Sequence, residues 1–184
     1  MMPERHLILG GARSGKTNHA ITLATKLAAT RELPVVYVAT AQALDDEMRH
    51  RIERHRVQRP QSWRTIEAPL ELAAALRAQP PAILVVDCLT LWLSNALLPD
   101  FDEVQPSAPL RRWEQERAAL SNWLAEYRGA ALLVSNEVGS GIVPASALAR
   151  RFQDEQGRLN QEIAMLCERV TLVVAGIAMP IKAH

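Results

Sequence analysis

The stretch GGARSGKT, residues 10–17, restricts the possible folds of this chain more than any other part of its sequence. It matches the pattern G-x-x-x-x-G-K-[ST], follows the aliphatic run HLIL and precedes a helical pattern. Glycines let backbone amides curl around phosphate oxygens, and the amino terminus of a helix adds partial positive charge. The sequence therefore predicts a phosphate-binding loop between a strand and a helix, rather than a chance glycine-rich turn.

The residues of this loop have distinct expected roles. Lys16 supplies a full positive charge toward the β- and γ-phosphates, and Thr17 offers a hydroxyl ligand for Mg²⁺. We expect the whole loop to bind the nucleotide: Gly10, Gly11, Ala12, Arg13, Ser14, Gly15, Lys16 and Thr17.

Short apolar runs alternate with helical patterns along the whole chain. Several runs are almost continuously aliphatic, which is typical of parallel strands that helices cover on both faces. The expected strands are 6–11, 34–40, 62–68, 82–87, 130–136 and 169–176, of which the third is the weakest and fits an edge. We predict an α/β fold with a mostly parallel sheet, in a single domain over residues 1–184.

Helical patterns fill the gaps between these strands. They cover 16–29, 45–56, 70–78, 88–95 and 110–127, and a long stretch after Pro144. The last pattern keeps one apolar stripe across Gly157, so it predicts one helix or two nearly collinear pieces. The segment 97–109, rich in proline and acids, is expected to be a surface loop.

Composition narrows the class of protein. The chain has 184 residues, 48% of them hydrophobic and 22% charged, with a formal net charge of +1. This balance gives no reason to expect nucleic acid as a partner, and no apolar run is long enough for a membrane span. The two cysteines form no CxxC pair and fit a reducing compartment. We expect a cytoplasmic protein.

Asp87 ends the aliphatic run AILVVD. A nucleotide site needs a carboxylate on the metal side at the end of a hydrophobic strand, and Asp87 has that position. An aspartate after a strand also commonly caps the next helix. The two roles are compatible, and the phosphate loop favours the metal role.

Two other strand ends carry polar residues. Ligands of open α/β sheets bind beyond the carboxyl ends of the strands. The loop SNEVGSGIVP follows the fifth expected strand, and its glycines fit a ligand pocket and a plain turn equally well.

The helix DDEMRHRIERHR follows the second strand. Met48, Ile52, His55 and Arg59 share one face at helical spacing, whereas His50 lies nearly opposite. Spacing alone favours a half-buried histidine bonded to backbone over a phosphate-contacting one.

Five blocks together resemble a known family: GGARSGKT, VYVATAQALDDEMRHRIERHRVQRPQSWRTIEAP, VVDCLTLWLSN, VSNEVGSGIVP and GRLNQEIA. They are similar to the bifunctional adenosylcobinamide kinase/adenosylcobinamide-phosphate guanylyltransferases of cobalamin biosynthesis. The blocks follow the family's order over nearly the whole chain. The resemblance implies a RecA-like P-loop NTPase fold and a homotrimer with sites between subunits.

The resemblance also implies a mechanism. The hydroxyl of adenosylcobinamide takes the γ-phosphate of ATP or GTP, and the product then receives GMP from a guanylylated histidine, which maps to His55. Glu67 and Asp87 are implied as nucleotide-binding residues, and Thr17 and Asp87 as ligands of Mg²⁺. Arg54, Arg56 and Arg59 are candidates for holding phosphates. Thr17 stands where serine is common in the family, and Asp87 where some members have glutamate.

Two alternatives remain at this stage. A small-molecule kinase would need the phosphate loop, Thr17 and Asp87 but not His55. A nucleotide-dependent switch or motor domain would bind a protein or nucleic acid. The short chain, its near-neutral charge and the lack of a basic strip with interleaved aromatic residues argue against the second.

Overall fold

The computed structural model of the chain describes residues 4–105 and 108–183, and all their side chains except that of Arg51. The described strands are β1 (Glu4–Gly10), β2 (Val35–Ala39), β3 (Arg64–Glu67), β4 (Ile83–Asp87), β5 (Ala130–Asn136), β6 (Arg169–Val174) and β7 (Ile177–Lys182). The described α-helices are α1 (Lys16–Arg31), α2 (Asp46–Val57), α3 (Leu72–Arg77), α4 (Leu89–Leu97), α5 (Arg111–Glu126) and α6 (Ala147–Leu166).

The strands form one seven-stranded sheet in the order β3-β2-β4-β5-β1-β6-β7. All neighbouring pairs are parallel except β6 and β7, which are antiparallel. The predicted α/β fold with a mostly parallel sheet is confirmed, and so is the edge position of the third strand.

The sequence pattern does not predict β7. This strand contains Pro180, which lacks a backbone N–H and argues against a strand interior. The structure accommodates Pro180 because β7 is an edge strand, and because a tight turn with positive φ at Ala175 and Gly176 folds β7 back onto β6.

The sheet has an apolar core on each face. On one face, α1 packs through Ala20 and Ala24 against Ile8, Val85 and other sheet residues. The other face packs against α3, α4, α5 and α6 in a larger core, whose biggest fully buried side chains include Trp92 and Trp113. Helices therefore cover both faces, as predicted.

The two long helices follow the predicted stripes. In α5 the residues with core-facing spacing are all buried: Leu110, which precedes the helix, and Trp113, Leu120, Trp123 and Leu124. The helix α6 runs unbroken through Gly157, so the choice between one helix and two pieces is decided in favour of one. The predicted surface loop begins with a 3-10 turn at Leu98–Asp100, and its residues 106–107 lie outside the described part.

The helix α2 is the most polar helix of the fold. The carboxylate of Asp45 caps it by accepting a hydrogen bond from the backbone N–H of Met48. Ile52 and His55 are half-buried, as Met48 is, whereas His50 is exposed. The predicted orientation of this helix is therefore confirmed.

Two further expectations concern whole-chain properties. Both cysteines, Cys88 and Cys167, are buried and free of disulfides. No helix in the described ranges is long and apolar enough to cross a membrane.

Candidate functional site

Five strand ends meet at one edge of the sheet. Gly10 at the end of β1 is paired in register with Asn136 of β5. Asp87 at the end of β4 is paired with Ala39 of β2, which in turn is paired with Glu67 of β3. Because these strands are parallel, their carboxyl ends form the edge at which α/β proteins bind ligands.

The turn between β6 and β7 contacts the phosphate loop and holds it through a backbone hydrogen bond. The N–H of Gly176 donates to the carbonyl of Ser14 at 2.8 Å. Within the loop, Arg13 and Gly15 have φ values of 57° and 96°, so the backbone curls as a phosphate cradle requires. A Cβ on Gly10 would lie 2.4 Å from Oγ of Ser14 and 2.6 Å from the carbonyl oxygen of Val173. The first glycine of the motif is therefore required sterically.

Lys16 begins α1 and folds back over the loop. Its ammonium donates to the carbonyl of Gly11 at 3.0 Å, and the side chain is largely buried. The first turn of α1 has no acidic residue, and Gly15 provides no side-chain hydrogen bond to cap it. The loop therefore presents concentrated positive potential, which suits a polyphosphate.

Asp87 lies beside the start of α1. Its Oδ2 accepts a hydrogen bond from Oγ1 of Thr17 at 3.1 Å, although the two residues are 70 positions apart. The same Oδ2 accepts a hydrogen bond from the hydroxyl of Tyr37. The helix α4 is capped at Cys88 without a side-chain hydrogen bond, so the capping role considered for Asp87 is wrong.

Tyr37 is a buried residue of β2 that the sequence analysis did not single out. Burial, followed by the negative charge of Asp87, raises the pKa of its hydroxyl far above the usual value, so the hydroxyl stays a donor. The guanidinium of Arg59 lies over the Tyr37 ring, with its carbon 3.5 Å from the ring centroid. The sequence signal for the hydrogen bond from Tyr37 to Asp87 is weak: Tyr37 brings a hydroxyl into an otherwise aliphatic strand.

His55 lies on the half-buried face of α2, one helical turn before Arg59. The stacking of Arg59 on Tyr37 thus connects the end of the histidine helix to the Asp87 carboxylate. Glu67 is exposed at the end of β3 and is separated from Asp87 by β2, at about 10 Å by the spacing of two strands. The structure therefore brings together Thr17, Asp87 and Tyr37 but not Glu67.

A buried polar network supports the edge at β5. Thr90 Oγ1 accepts from the N–H of Asn136 at 2.8 Å, and the amide of Asn160 donates to the carbonyl of Asn136 at 3.0 Å. Asn160 is held in turn by Ser135 and Gln156. The sequence analysis assigned these side chains no role, although Asn160 lies within the block GRLNQEIA and Gln156 directly precedes it.

The residues that can hold a metal here are oxygen donors. The described chain contains no group of three or more histidine, cysteine and acidic side chains arranged for a metal ion. The contact between the Thr17 hydroxyl and the Asp87 carboxylate instead supplies two hard oxygen ligands at the phosphate loop. Such a pair fits Mg²⁺, which takes few protein ligands and completes its shell with phosphate oxygens and water.

These features define a class of protein. A mostly parallel sheet with a phosphate loop after β1, a carboxylate at the end of β4 and one strand between them is a RecA-like P-loop NTPase fold. A solved structure from Pyrococcus horikoshii OT3 has the same fold, with a TM-score of 0.51 over 98% of this chain and 86% of that chain at 11% identity. Residues 6–181 match the family described as cobinamide kinase / cobinamide phosphate guanyltransferase, and the chain belongs to this family.

Curated relatives agree with this assignment. The bifunctional adenosylcobalamin biosynthesis protein CobP of Pseudomonas aeruginosa is 53% identical over 98% of this chain and 98% of its own length. The proteins CobU of Escherichia coli K12 and of Salmonella typhimurium LT2, which carry the same bifunctional description, are 40% and 39% identical over 96% of this chain and 98% of theirs. The resemblance seen in the sequence blocks is confirmed, and the chain is a transferase enzyme rather than a switch or motor domain.

Proposed function

We propose that this chain carries out both reactions of its family within one domain, residues 1–184. In the first, the amino-propanol hydroxyl of adenosylcobinamide takes the γ-phosphate of ATP or GTP. In the second, GMP from GTP is transferred to the new phosphate to give adenosylcobinamide-GDP. The main support is the chain of contacts from the phosphate loop through Asp87 and Tyr37 to Arg59, beside the histidine helix.

The kinase reaction uses the phosphate loop. Its backbone amides and Lys16 bind the phosphates and stabilise the charge on the β-phosphate as the bond to the γ-phosphate breaks. The substrate hydroxyl attacks the γ-phosphorus and gives its proton to solvent, and ADP or GDP leaves as the bond to the β-phosphate oxygen breaks. Thr17 and Asp87 would hold Mg²⁺, which offsets the negative charge of the phosphates when bound.

The guanylyl transfer uses His55 as nucleophile. A neutral imidazole nitrogen attacks the α-phosphate of GTP, a nitrogen–phosphorus bond forms, and pyrophosphate leaves. The phosphate of the acceptor then attacks the same phosphorus, and the nitrogen–phosphorus bond breaks to restore the histidine. Arg59 is held by the Tyr37 ring and is best placed of the nearby arginines to bind a phosphate bidentately.

Other parts of the proposal concern binding and assembly. We propose that Glu67 contacts the nucleotide away from its phosphates, since β2 lies between Glu67 and Asp87. We also propose a cytoplasmic homotrimer with sites between subunits. Contact between subunits is supported by apolar side chains that one chain leaves exposed. These include Ile142, Val143 and Ile177. The partners are small molecules, namely the corrinoid and the nucleotides, and not nucleic acid.

The test is covalent labelling. The protein is incubated with Mg²⁺ and GTP labelled at the α-phosphate, then denatured, beside the variants His55→Ala and His50→Ala. We expect acid-labile, base-stable label on the parent and on His50→Ala, and none on His55→Ala, because only His55 lies on the inward face of α2.

Other results contradict the proposal in distinct ways. Label on His55→Ala would assign the nucleophile to another residue. No label on any of the three proteins, with phosphorylation of adenosylcobinamide intact, would leave a kinase without guanylyltransferase activity.

A further inference from the structure

A cavity of about 620 Å³ opens on the face of the sheet that carries α6. Leu9 and Val170 line it from the sheet, Gly157 and Ala164 from α6, and Ile181 from the edge strand β7. The loop after β5 closes one side through Glu137 to Ser140. We call this space the α6 cavity.

The α6 cavity is physically joined to the phosphate loop. Its wall residue Leu9 directly precedes Gly10, and the N–H of its wall residue Glu137 donates to the carbonyl of Gly10 at 3.2 Å. Thr17 and Asp87 are not among its walls. The cavity is therefore next to the site of phosphoryl transfer and distinct from the phosphate-binding face itself.

Gly157 is the feature that the fold alone does not explain. It lies in the middle of the 20-residue helix α6, where glycine is less favourable than alanine. A Cβ at this position would meet nothing within 4 Å, so no close packing requires its absence. The effect of the missing side chain is to keep the wall of the α6 cavity open, which points to an occupant.

The charges of the walls argue against a polyphosphate in this cavity. Glu137 contributes a negative charge. The ammonium of Lys182 donates to three carbonyls, those of Ala164, Met165 and Cys167, at 3.0, 3.4 and 2.6 Å. Lys182, the cationic residue among the walls, is thus already bonded to carbonyls at the end of α6. Among the described residues, no other lining side chain carries a positive charge that could offset the charge of a phosphate.

The walls suit a corrinoid instead. A corrin ring carries methyl groups and primary amide arms, so it needs apolar contact interspersed with polar groups. Leu9, Val170 and Ile181 provide apolar contact, and Ile181 is 61% exposed in the single chain. Gln161 and Ser140 provide polar groups at the rim.

We propose that the α6 cavity binds the acceptor corrinoid, holding its amino-propanol arm and one edge of the ring beside the phosphate loop, and that Gly157 keeps it open. This rests on the proposed function, because it takes the acceptor from the kinase reaction. The carboxylate of Glu137, which accepts a hydrogen bond from the N–H of Gly139 at 2.6 Å, then lies in the wall beside the substrate arm.

The experiment compares Gly157→Leu with Asp154→Leu, which places the same side chain on an exposed position of α6 that does not line the cavity. Cobinamide binding is measured by ultrafiltration, with the corrin absorbance as readout. We expect Gly157→Leu to raise the Kd for cobinamide by about tenfold or more, since it fills the cavity, and Asp154→Leu to leave the Kd unchanged. Labelling with GTP verifies that the nucleotide site of each variant is still formed.

A milder variant guards against a failure to fold. Gly157→Ala adds one methyl group in open space, so we expect the melting temperature to rise by about 1–4 °C while cobinamide binding weakens. If Gly157→Ala is more stable than the parent and yet binds cobinamide less tightly, misfolding does not explain the weaker binding.

Three outcomes would overturn the proposal. Gly157→Leu that binds cobinamide as the parent does would exclude the cavity as the site. Equal weakening by Asp154→Leu would show a general effect on α6. Loss of GTP labelling together with cobinamide binding in Gly157→Ala would show that the change acts through the nucleotide site. If the parent protein binds no cobinamide, the proposed function itself is contradicted. This result differs from the three outcomes above, in each of which the parent binds cobinamide.

Discussion

The hydroxyl of Tyr37 donates a hydrogen bond to Oδ2 of Asp87, the same oxygen that accepts a hydrogen bond from Thr17 at 3.1 Å. Two donors on one carboxylate oxygen fix its direction toward the start of α1. Tyr37 is itself buried beneath the guanidinium of Arg59. The orientation of the Asp87 carboxylate therefore depends on Thr17 of α1 and Tyr37 of β2, and Arg59, just after α2, covers the Tyr37 ring.

Replacing Tyr37 by phenylalanine tests this arrangement. The ring remains and continues to fill the core, but the Asp87 carboxylate loses a donor that orients it. We expect the Mg²⁺ concentration for half-maximal kinase activity to rise by about 10- to 100-fold, as for other changes to the partners of metal ligands. Initial rates measured against Mg²⁺ concentration give the result.

Tyr127→Phe is the matched control for that prediction. It also removes one tyrosine hydroxyl, which donates to the carbonyl of Ala82 at 3.3 Å, away from the phosphate loop. An unchanged Mg²⁺ requirement in Tyr37→Phe would show that Asp87 needs no such orientation.

The stacking of Arg59 on Tyr37 should be measurable as stability. A guanidinium over an aromatic ring is worth about 0.5–2 kcal/mol, depending on how far it is desolvated. We expect Arg59→Met to lower the free energy of unfolding by about that amount in urea titrations. Arg56→Met, at an exposed position of α2, should change it by less than about 0.5 kcal/mol. If Arg59→Met and Arg56→Met lower the free energy of unfolding equally, the stacking of Arg59 on Tyr37 does not contribute to stability.

The two glycines at the start of the phosphate loop should respond differently to alanine. A methyl group on Gly10 would overlap Ser14 and the carbonyl of Val173, whereas one on Gly11 would meet nothing within 4 Å. We expect Gly10→Ala to destabilise the protein by about 1–3 kcal/mol, as overpacking does, and to abolish nucleotide binding. Thermal unfolding without nucleotide should show Gly11→Ala to be as stable as the parent. A Gly10→Ala variant of parental stability would be inconsistent with the described loop.

Stability should fall as the pH is lowered below neutrality because of His6. Burial, followed by the nearby charges of His19 and Arg169, lowers the pKa of His6 from 6.5 to about 4. Below pH 6.5 His6 is protonated in the unfolded chain, whereas in the folded chain it stays neutral down to about pH 4. The free energy of unfolding therefore decreases between these two pH values. We expect a loss of about 2 kcal/mol between pH 7 and pH 5 from this residue.

Urea unfolding at pH 7 and pH 5 measures that loss. His6→Gln can keep a hydrogen bond to Thr171, which lies 2.8 Å from the His6 ring, but it does not titrate. We expect its stability to differ less between the two pH values than that of the parent. The exposed His50→Gln should retain the parental difference. Identical pH dependence in all three proteins would rule out His6 as the source.

Much of the fold is predictable because its signals are local. The aliphatic runs before Gly10 and at Asp87, and the stripes of α5 and α6, follow from the burial of strands and helices within a few residues. The Gly-x-x-x-x-Gly-Lys-Thr pattern predicts the loop because its glycines, lysine and threonine all lie within residues 10–17. The antiparallel β7 is not predictable in this way, since Pro180 is tolerated only where the sheet has an edge.

The sequence by itself determined the α/β class, the phosphate loop, the inward face of α2 with His55, and membership of a transferase family. Tertiary structure alone decided which side chains meet: Thr17 with Asp87 over 70 positions, Tyr37 with Asp87 over 50, and Arg59 with the Tyr37 ring. It also decided that Glu67 lies two strands away and that Gly157 borders a cavity. The physical reason is that such contacts depend on the order of strands in the sheet. That order is set by the packing of the whole chain rather than by any local preference.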